Sequence, residues 1–170
     1  MIGTRTLALL LASAMTLATF VQRADCEPKG DEGTFLNALA GEWTMTGTVG
    51  TKLVRYNVQG TWVLQHGWLR LHMEDTAQPR QYEADVFMAY DVKARDYIGH
   101  WLDRFGAPGA RVVGSGAMSG ERLVIIYPYV EGAFRNTFTQ HPRGWDLLIE
   151  SQEKDGTWTT FANYHAKPLE

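Results

Sequence analysis

Leu36-Asn37-Ala38-Leu39-Ala40-Gly41-Glu42-Trp43-Thr44-Met45-Thr46-Gly47-Thr48-Val49 is a short apolar turn that runs, through Gly41-Glu42-Trp43, into an alternating segment. Trp43, Met45, Gly47 and Val49 share one parity, and Thr44, Thr46 and Thr48 share the other. Successive side chains of a strand point to opposite faces, so one face of this segment is made for burial and the other is β-branched and polar. That is the pattern of one wall of a barrel or sandwich.

The pattern continues outward from this stretch. In residues 52–64, Val54, Tyr56, Val58, Gly60, Trp62 and Leu64 oppose Arg55, Asn57 and Gln59, and Gly60 marks a bend or a close backbone approach. After His66-Gly67, Leu69, Leu71 and Met73 oppose Arg70, His72 and Glu74. Tyr82, Ala84, Val86, Met88 and Tyr90 then oppose Glu83, Asp85, Phe87 and Asp91, and residues 91–96 form a turn. Residues 97–105 carry bulky groups on both parities, so periodicity does not orient them. Glycine-rich residues 111–118 pair with 122–129 through Ser119-Gly120-Glu121, and 134–141, 145–153 and 157–169 supply the last strands. No window keeps a helical period for long and no internal repeat is present. The spacing predicts an all-β fold, an up-and-down antiparallel β-barrel of about ten strands preceded by a short helical turn.

The chain has 170 residues, 45% of them hydrophobic and 21% charged, enough for one core of ordinary size. Residues 7–21 form a Leu/Ala/Thr/Met run after Arg5, the length of a signal-peptide apolar region and shorter than a spanning helix. Ala24 and Cys26 place small residues where a signal peptidase reads. The domain division expected is therefore a signal peptide over 1–26, a flexible lead-in over 27–34 and the barrel over 35–170, with a secreted or periplasmic location and no stable membrane insertion once the leader is gone. Cys26 is the sole cysteine, so neither an internal disulfide nor a cysteine metal cluster is available. Losing Arg5, Arg23 and Asp25 from 16 basic and 19 acidic groups leaves 14 and 18, a net charge near −4 that disfavours nucleic acid as a partner.

Taken as a set, Leu39-Ala40-Gly41-Glu42-Trp43, residues 60–69 (Gly-Thr-Trp-Val-Leu-Gln-His-Gly-Trp-Leu), Tyr90-Asp91 and residues 99–106 (Gly-His-Trp-Leu-Asp-Arg-Phe-Gly) resemble a bacterial family of lipocalin-like domains in the calycin group, whose first strand carries a Gly-x-Trp. The likeness spans about residues 36–164. It implies a barrel of about ten strands whose Trp43 plugs the closed end, and it brings no established activity. The chain departs from true lipocalins in lacking paired cysteines, and from intracellular fatty-acid carriers in lacking Arg-x-Tyr, since Arg135 precedes Asn136 and Thr137.

A barrel of this size either fills itself or encloses a small cavity. The inward parities offer Met45, Tyr56, Trp62, Met73, Tyr82, Met88, Tyr90, Phe134, Asn136, Phe138, Gln140, Trp145, Leu147, Trp158 and Tyr164. Apolar walls with a few hydroxyls and amides suit a small hydrophobic or amphipathic ligand. The residues expected to contact it are Tyr56, Trp62, Tyr82, Met88, Tyr90, Asn136, Phe138, Gln140, Trp145 and Tyr164; the bland alternative is that they only fill the core. A second class of function is a barrel enzyme of isomerase or cyclase type, with Asp103 or an interior tyrosine moving a proton. His100 and Arg104, on the opposite parity of the same strand, cannot assist Asp103. The third class is an interaction module or homodimer built on the two-faced strand 123–129.

Histidines at 66, 72, 100, 141 and 165 show no short-range metal-ligand spacing, and no cofactor is called for. His165 is weighed as a haem ligand because haem-binding barrels similar to nitrobindin use a last-strand histidine, but it shares parity with Asn163 and Lys167, away from the interior. No nucleophile elbow, phosphate loop or Ser/His/Asp set is visible, so hydrolase and nucleotide readings have no support in the sequence.

Overall fold

The computed structural model describes residues 31–169, so the leader expected over 1–26 lies outside the described residues. A four-residue helix α1 (Asp31–Thr34) and a 3-10 helix (Phe35–Leu39) precede ten strands. These are β1 (Gly41–Val49), β2 (Lys52–Val63), β3 (Trp68–Asp75), β4 (Glu83–Asp91), β5 (Asp96–Asp103), β6 (Val113–Ser119), β7 (Arg122–Tyr127), β8 (Phe134–His141), β9 (Gly144–Gln152) and β10 (Trp158–Pro168). Helix α1 occupies the end of the stretch expected to be a flexible lead-in.

Each strand pairs antiparallel with the next, and β1 pairs with β10 from Trp43↔Pro168 to Val49↔Ala162, which closes an up-and-down barrel. Closure satisfies the edges that an open sheet would leave unpaired. The alternation read in the sequence is the alternation of burial: Leu69, Leu71 and Met73 on β3, Ala84, Val86 and Met88 on β4, and Trp145, Leu147 and Ile149 on β9 all face a common core. β5, which periodicity left unoriented, turns Tyr97 and Gly99 inward and buries them, so Trp101 and Asp103 follow on the same face. Its opposite face is half-buried because the 104–112 connection folds over it, with His100 Nε2 2.7 Å from the Ala110 carbonyl.

One end of the barrel is sealed. Phe35, Leu36 and Leu39 of the 3-10 helix are buried, each contributing roughly 1.5–3 kcal/mol of apolar burial. Trp43 donates its indole N–H to the Leu39 carbonyl at 3.0 Å and meets Trp145 edge-on at 6.0 Å. Gln140 donates to the Phe35 carbonyl at 2.9 Å, and Trp62 donates to Asn37 Oδ1 at 3.1 Å. Gly60 is the close approach anticipated: a Cβ there would lie 2.1 Å from the Leu39 carbonyl oxygen. The opposite end is edged by strand termini and the connections 50–51, 76–82, 104–112, 128–133 and 153–157.

One inward assignment is corrected. The β9–β10 register shifts between Thr160 and Ala162, so Phe161 is an extra residue and the parity inverts beyond it. Trp158 therefore pairs with Gln152 on the outer wall, where the Arg135 guanidinium lies 4.4 Å from its ring centroid.

Candidate ligand site at the open end of the barrel

Alternation along β2, β5 and β10 turns Tyr56, Trp101, Asp103 and Tyr164 inward at the unsealed end. Tyr82 and Tyr129 join them from the connections just before β4 and just after β7. Tyr56 is the hub of the phenol cluster, with ring centroids 5.7 Å from Tyr82 and 5.8 Å from Tyr164. Trp101 donates its indole N–H to the Tyr82 hydroxyl at 2.9 Å. Phe134 meets Tyr129 edge-on at 5.7 Å, and Tyr129 stacks on Tyr127 at 6.3 Å. Phe105, three-quarters exposed, leans on Tyr82 at 6.1 Å. The result is an aromatic collar with hydroxyls among the rings, in which Tyr82, Trp101 and Tyr129 are partly buried while Tyr56 and Tyr164 lie beneath them at 3% and 5% exposure.

The electrostatics of the collar follow from burial. Desolvation pushes the Tyr82 phenol above its ordinary value; the Trp101 hydrogen bond acts against this and the Asp103 charge adds to it. Tyr164 is raised by desolvation and then by Tyr56 and Tyr82, Tyr56 by desolvation and Asp75, and Tyr129 by desolvation and Asp103. All four phenols are thus neutral at physiological pH and can donate or accept a hydrogen bond. Asp103 supplies an anionic acceptor on the same face, with one oxygen receiving the Phe105 backbone N–H at 3.0 Å. Asp75, the other inward carboxylate at this end, is committed to the fold: it accepts from the Ala77 and Gln81 backbone N–H groups at 2.8 and 3.3 Å.

Deeper in the barrel, Tyr127 Oη, Asn136 Oδ1 and Trp145 Nε1 are buried without a hydrogen-bond partner. A buried polar atom left in that state costs about 1–3 kcal/mol, so the interior is not purely apolar. Tyr127 is held by the lack of side chains opposite it, since a Cβ on Gly99 would lie 2.5 Å from its hydroxyl.

The ten residues expected to contact a ligand separate into three groups. Tyr56, Tyr82 and Tyr164 form the collar. Met88, Asn136, Phe138 and Trp145 are fully buried in the core. Trp62, Tyr90 and Gln140 lie toward the sealed end, where Gln140 and Trp62 fasten the 3-10 helix and Tyr90 packs on Tyr97 at 4.9 Å. One small molecule at the mouth cannot touch all three. Sequence reasoning passed over Trp101 and Tyr129; the signal for the first was the small Gly99 on the same parity, which marks the packed face of β5.

None of the histidines faces the interior. His66 stacks on Trp62 at the sealed end, His72 and His100 point outward, and His141 and His165 lie on the outer wall beside Asp146. His165 accordingly does not reach a group bound inside the barrel, as its parity with Asn163 and Lys167 required. The outer faces of β6 to β9 form a shallow concavity lined by Ser115, Ala117, Val124, Ile126, Arg135 and Glu150, which is where the two-faced β7 turns its second apolar side. Compared with known proteins, the chain matches no protein-family model and no curated protein.

Proposed function

We propose that this barrel binds a small amphipathic molecule through its open end, as an exported binding protein of the lipocalin-like kind. The observation that carries the reading is the collar of Tyr56, Tyr82, Tyr129 and Tyr164 with Trp101 and Asp103, set at the end opposite the 3-10 helix. Rings give a flat apolar body contact area, while neutral phenols and one carboxylate orient its polar group. The preferred ligand carries an aromatic or alicyclic body and a hydroxyl or amine that donates to Asp103. Export to a secreted or periplasmic location rests on the apolar run of residues 7–21.

The test is titration of the folded protein with an anilinonaphthalene dye. Binding with micromolar affinity, worth about 8 kcal/mol, is expected. Tyr82→Ala and Tyr164→Ala should each weaken it at least several-fold, while Ile126→Glu on the outer concavity should not. Absence of binding, or binding lost only in Ile126→Glu, would sink the collar as the site and favour the outer face as an association surface.

A second reading has one observation in its favour, the presence of Asp103 beside the Tyr82 hydroxyl, which suits proton transfer at a bound substrate. It predicts that Asp103→Asn keeps dye affinity while abolishing turnover of substrate.

A further inference from the structure

On the outer wall, near the sealed end, the three neighbouring strands β8, β9 and β10 contribute His141, Asp146 and His165. The register explains the meeting. His165 lies directly across from Asp146, and His141 pairs with Gly144, which has no side chain to keep the imidazole from leaning toward Asp146. The Asp146 carboxylate accepts from both rings, from His141 Nε2 at 2.7 Å through one oxygen and from His165 Nδ1 through the other. The ring centroids are 6.1 Å apart, and one ligand atom from each of the three residues falls within 4.8 Å of the others.

We propose that His141, Asp146 and His165 form a surface binding site for a divalent transition-metal ion of the zinc type. Two imidazoles and one carboxylate are a borderline donor set that zinc, cobalt and nickel prefer over calcium or magnesium. Each imidazole already aims a ring nitrogen at the same carboxylate, so one cation among the three can take the place of the two hydrogens they share. The metal–ligand lengths required, about 2.0–2.2 Å, need only a small inward turn of rings whose side chains are 38% and 46% exposed. Three protein ligands on an open wall leave at least one position for water or an external ligand.

Charge around the cluster separates it from the similar group on β3 and β4. There His72, Glu74 and Glu83 also converge, but Arg80 lies 2.7 Å from Glu74 and Arg70 lies 2.6 Å from Asp85, so cations are already supplied. Among the described residues, Asp146 has no arginine or lysine in ion-pair contact; its partners are the two histidines. Its flanking outward residues are Thr139 across β8 and, beside His165, Thr46 on β1. Lys167, on the same face of β10, and Arg143, in the turn between His141 and Gly144, are cations that oppose a metal, which sets the affinity expected in the micromolar range rather than below it. Burial alone would raise the Asp146 carboxyl; the hydrogen bonds and charge of His165 and His141 outweigh it and hold the group below its ordinary value.

Zinc titration of the untagged full-length protein by calorimetry, with cobalt(II) visible absorption as a second readout, tests this. One metal per chain with micromolar affinity is expected. His141→Ala, His165→Ala and Asp146→Asn should each weaken binding at least tenfold while leaving the circular-dichroism melt of the metal-free protein unchanged. His72→Ala and Cys26→Ser should bind as the parent does. Calcium should not compete. No one-to-one complex up to about 1 mM metal, or a complex that survives both His141→Ala and His165→Ala, overturns the proposal.

Discussion

Trp43 does two jobs that its sequence context only half announced. Its indole ring closes the barrel against Trp145, and its N–H satisfies the Leu39 carbonyl at the end of the 3-10 helix. Trp43→Ala should destabilise the protein by about 3–5 kcal/mol, the usual loss for emptying a large aromatic site. A urea denaturation midpoint close to the parent's would contradict that role. Gly60→Ala acts at the same contact from the other side, because the added methyl meets a backbone oxygen at 2.1 Å rather than a side chain that can move. Overpacking of this kind costs about 1–3 kcal/mol, and the loss should be largely absent at Gly109, where an added Cβ meets nothing within 4 Å and the backbone is outside the left-handed region. A pair of thermal melts on Gly60→Ala and Gly109→Ala checks the difference.

At the scale of the element, the 3-10 helix is held by its buried face and by two side-chain hydrogen bonds that come from strands far away in sequence, from Gln140 on β8 and Trp62 on β2. Gln140→Ala removes the first bond. It should cost about 1 kcal/mol and raise amide hydrogen exchange over residues 35–40 more than in the β3–β4 ladder. Uniform exchange changes across the barrel would show that the cap is not a separable unit. The β10 bulge is an element-level device too. By inserting Phe161, which packs on Phe134 at 5.3 Å, it turns Trp158 outward to the Arg135–Glu150 pair and leaves the mouth to the tyrosines.

The whole molecule concentrates phenols inside one closed wall, and this makes its stability depend on alkaline pH. Tyr82, Tyr127 and Tyr164 are raised above the ordinary phenol value chiefly by desolvation. A phenol whose folded-state value is raised binds its proton more tightly in the folded chain than in the unfolded one. The stability it contributes is therefore complete below the unfolded value of about 10 and declines as pH rises beyond it. Phenolate absorbance should accordingly lag behind that of unfolded protein and then rise cooperatively with loss of the near-ultraviolet circular dichroism signal. Tyr164→Phe should move that transition to higher pH; ionisation of every tyrosine near pH 10 with the fold intact would contradict the burial of these groups.

The amino-acid sequence by itself determined the class and order of this fold, because the alternation in β1 to β4 commits one face of each strand to the core and leaves little choice of partner face. Even the close approach at Gly60 was legible, since a glycine on a buried parity has few other uses. Local pattern failed in three places. β5 is covered on its outer face by residues 104–112, so both of its parities carry bulky groups, and apart from the small Gly99 nothing local tells which face turns inward; the neighbouring strands decide the placement of Trp101 and Asp103. Trp158 reads as interior because alternation counts residues and cannot see the register shift at Phe161. His141, Asp146 and His165 have no recognisable spacing along the chain. Only the lateral pairing of β8, β9 and β10 brings them to one carboxylate, since register, which is a property of the closed sheet, decides which side chains stand next to each other across strands.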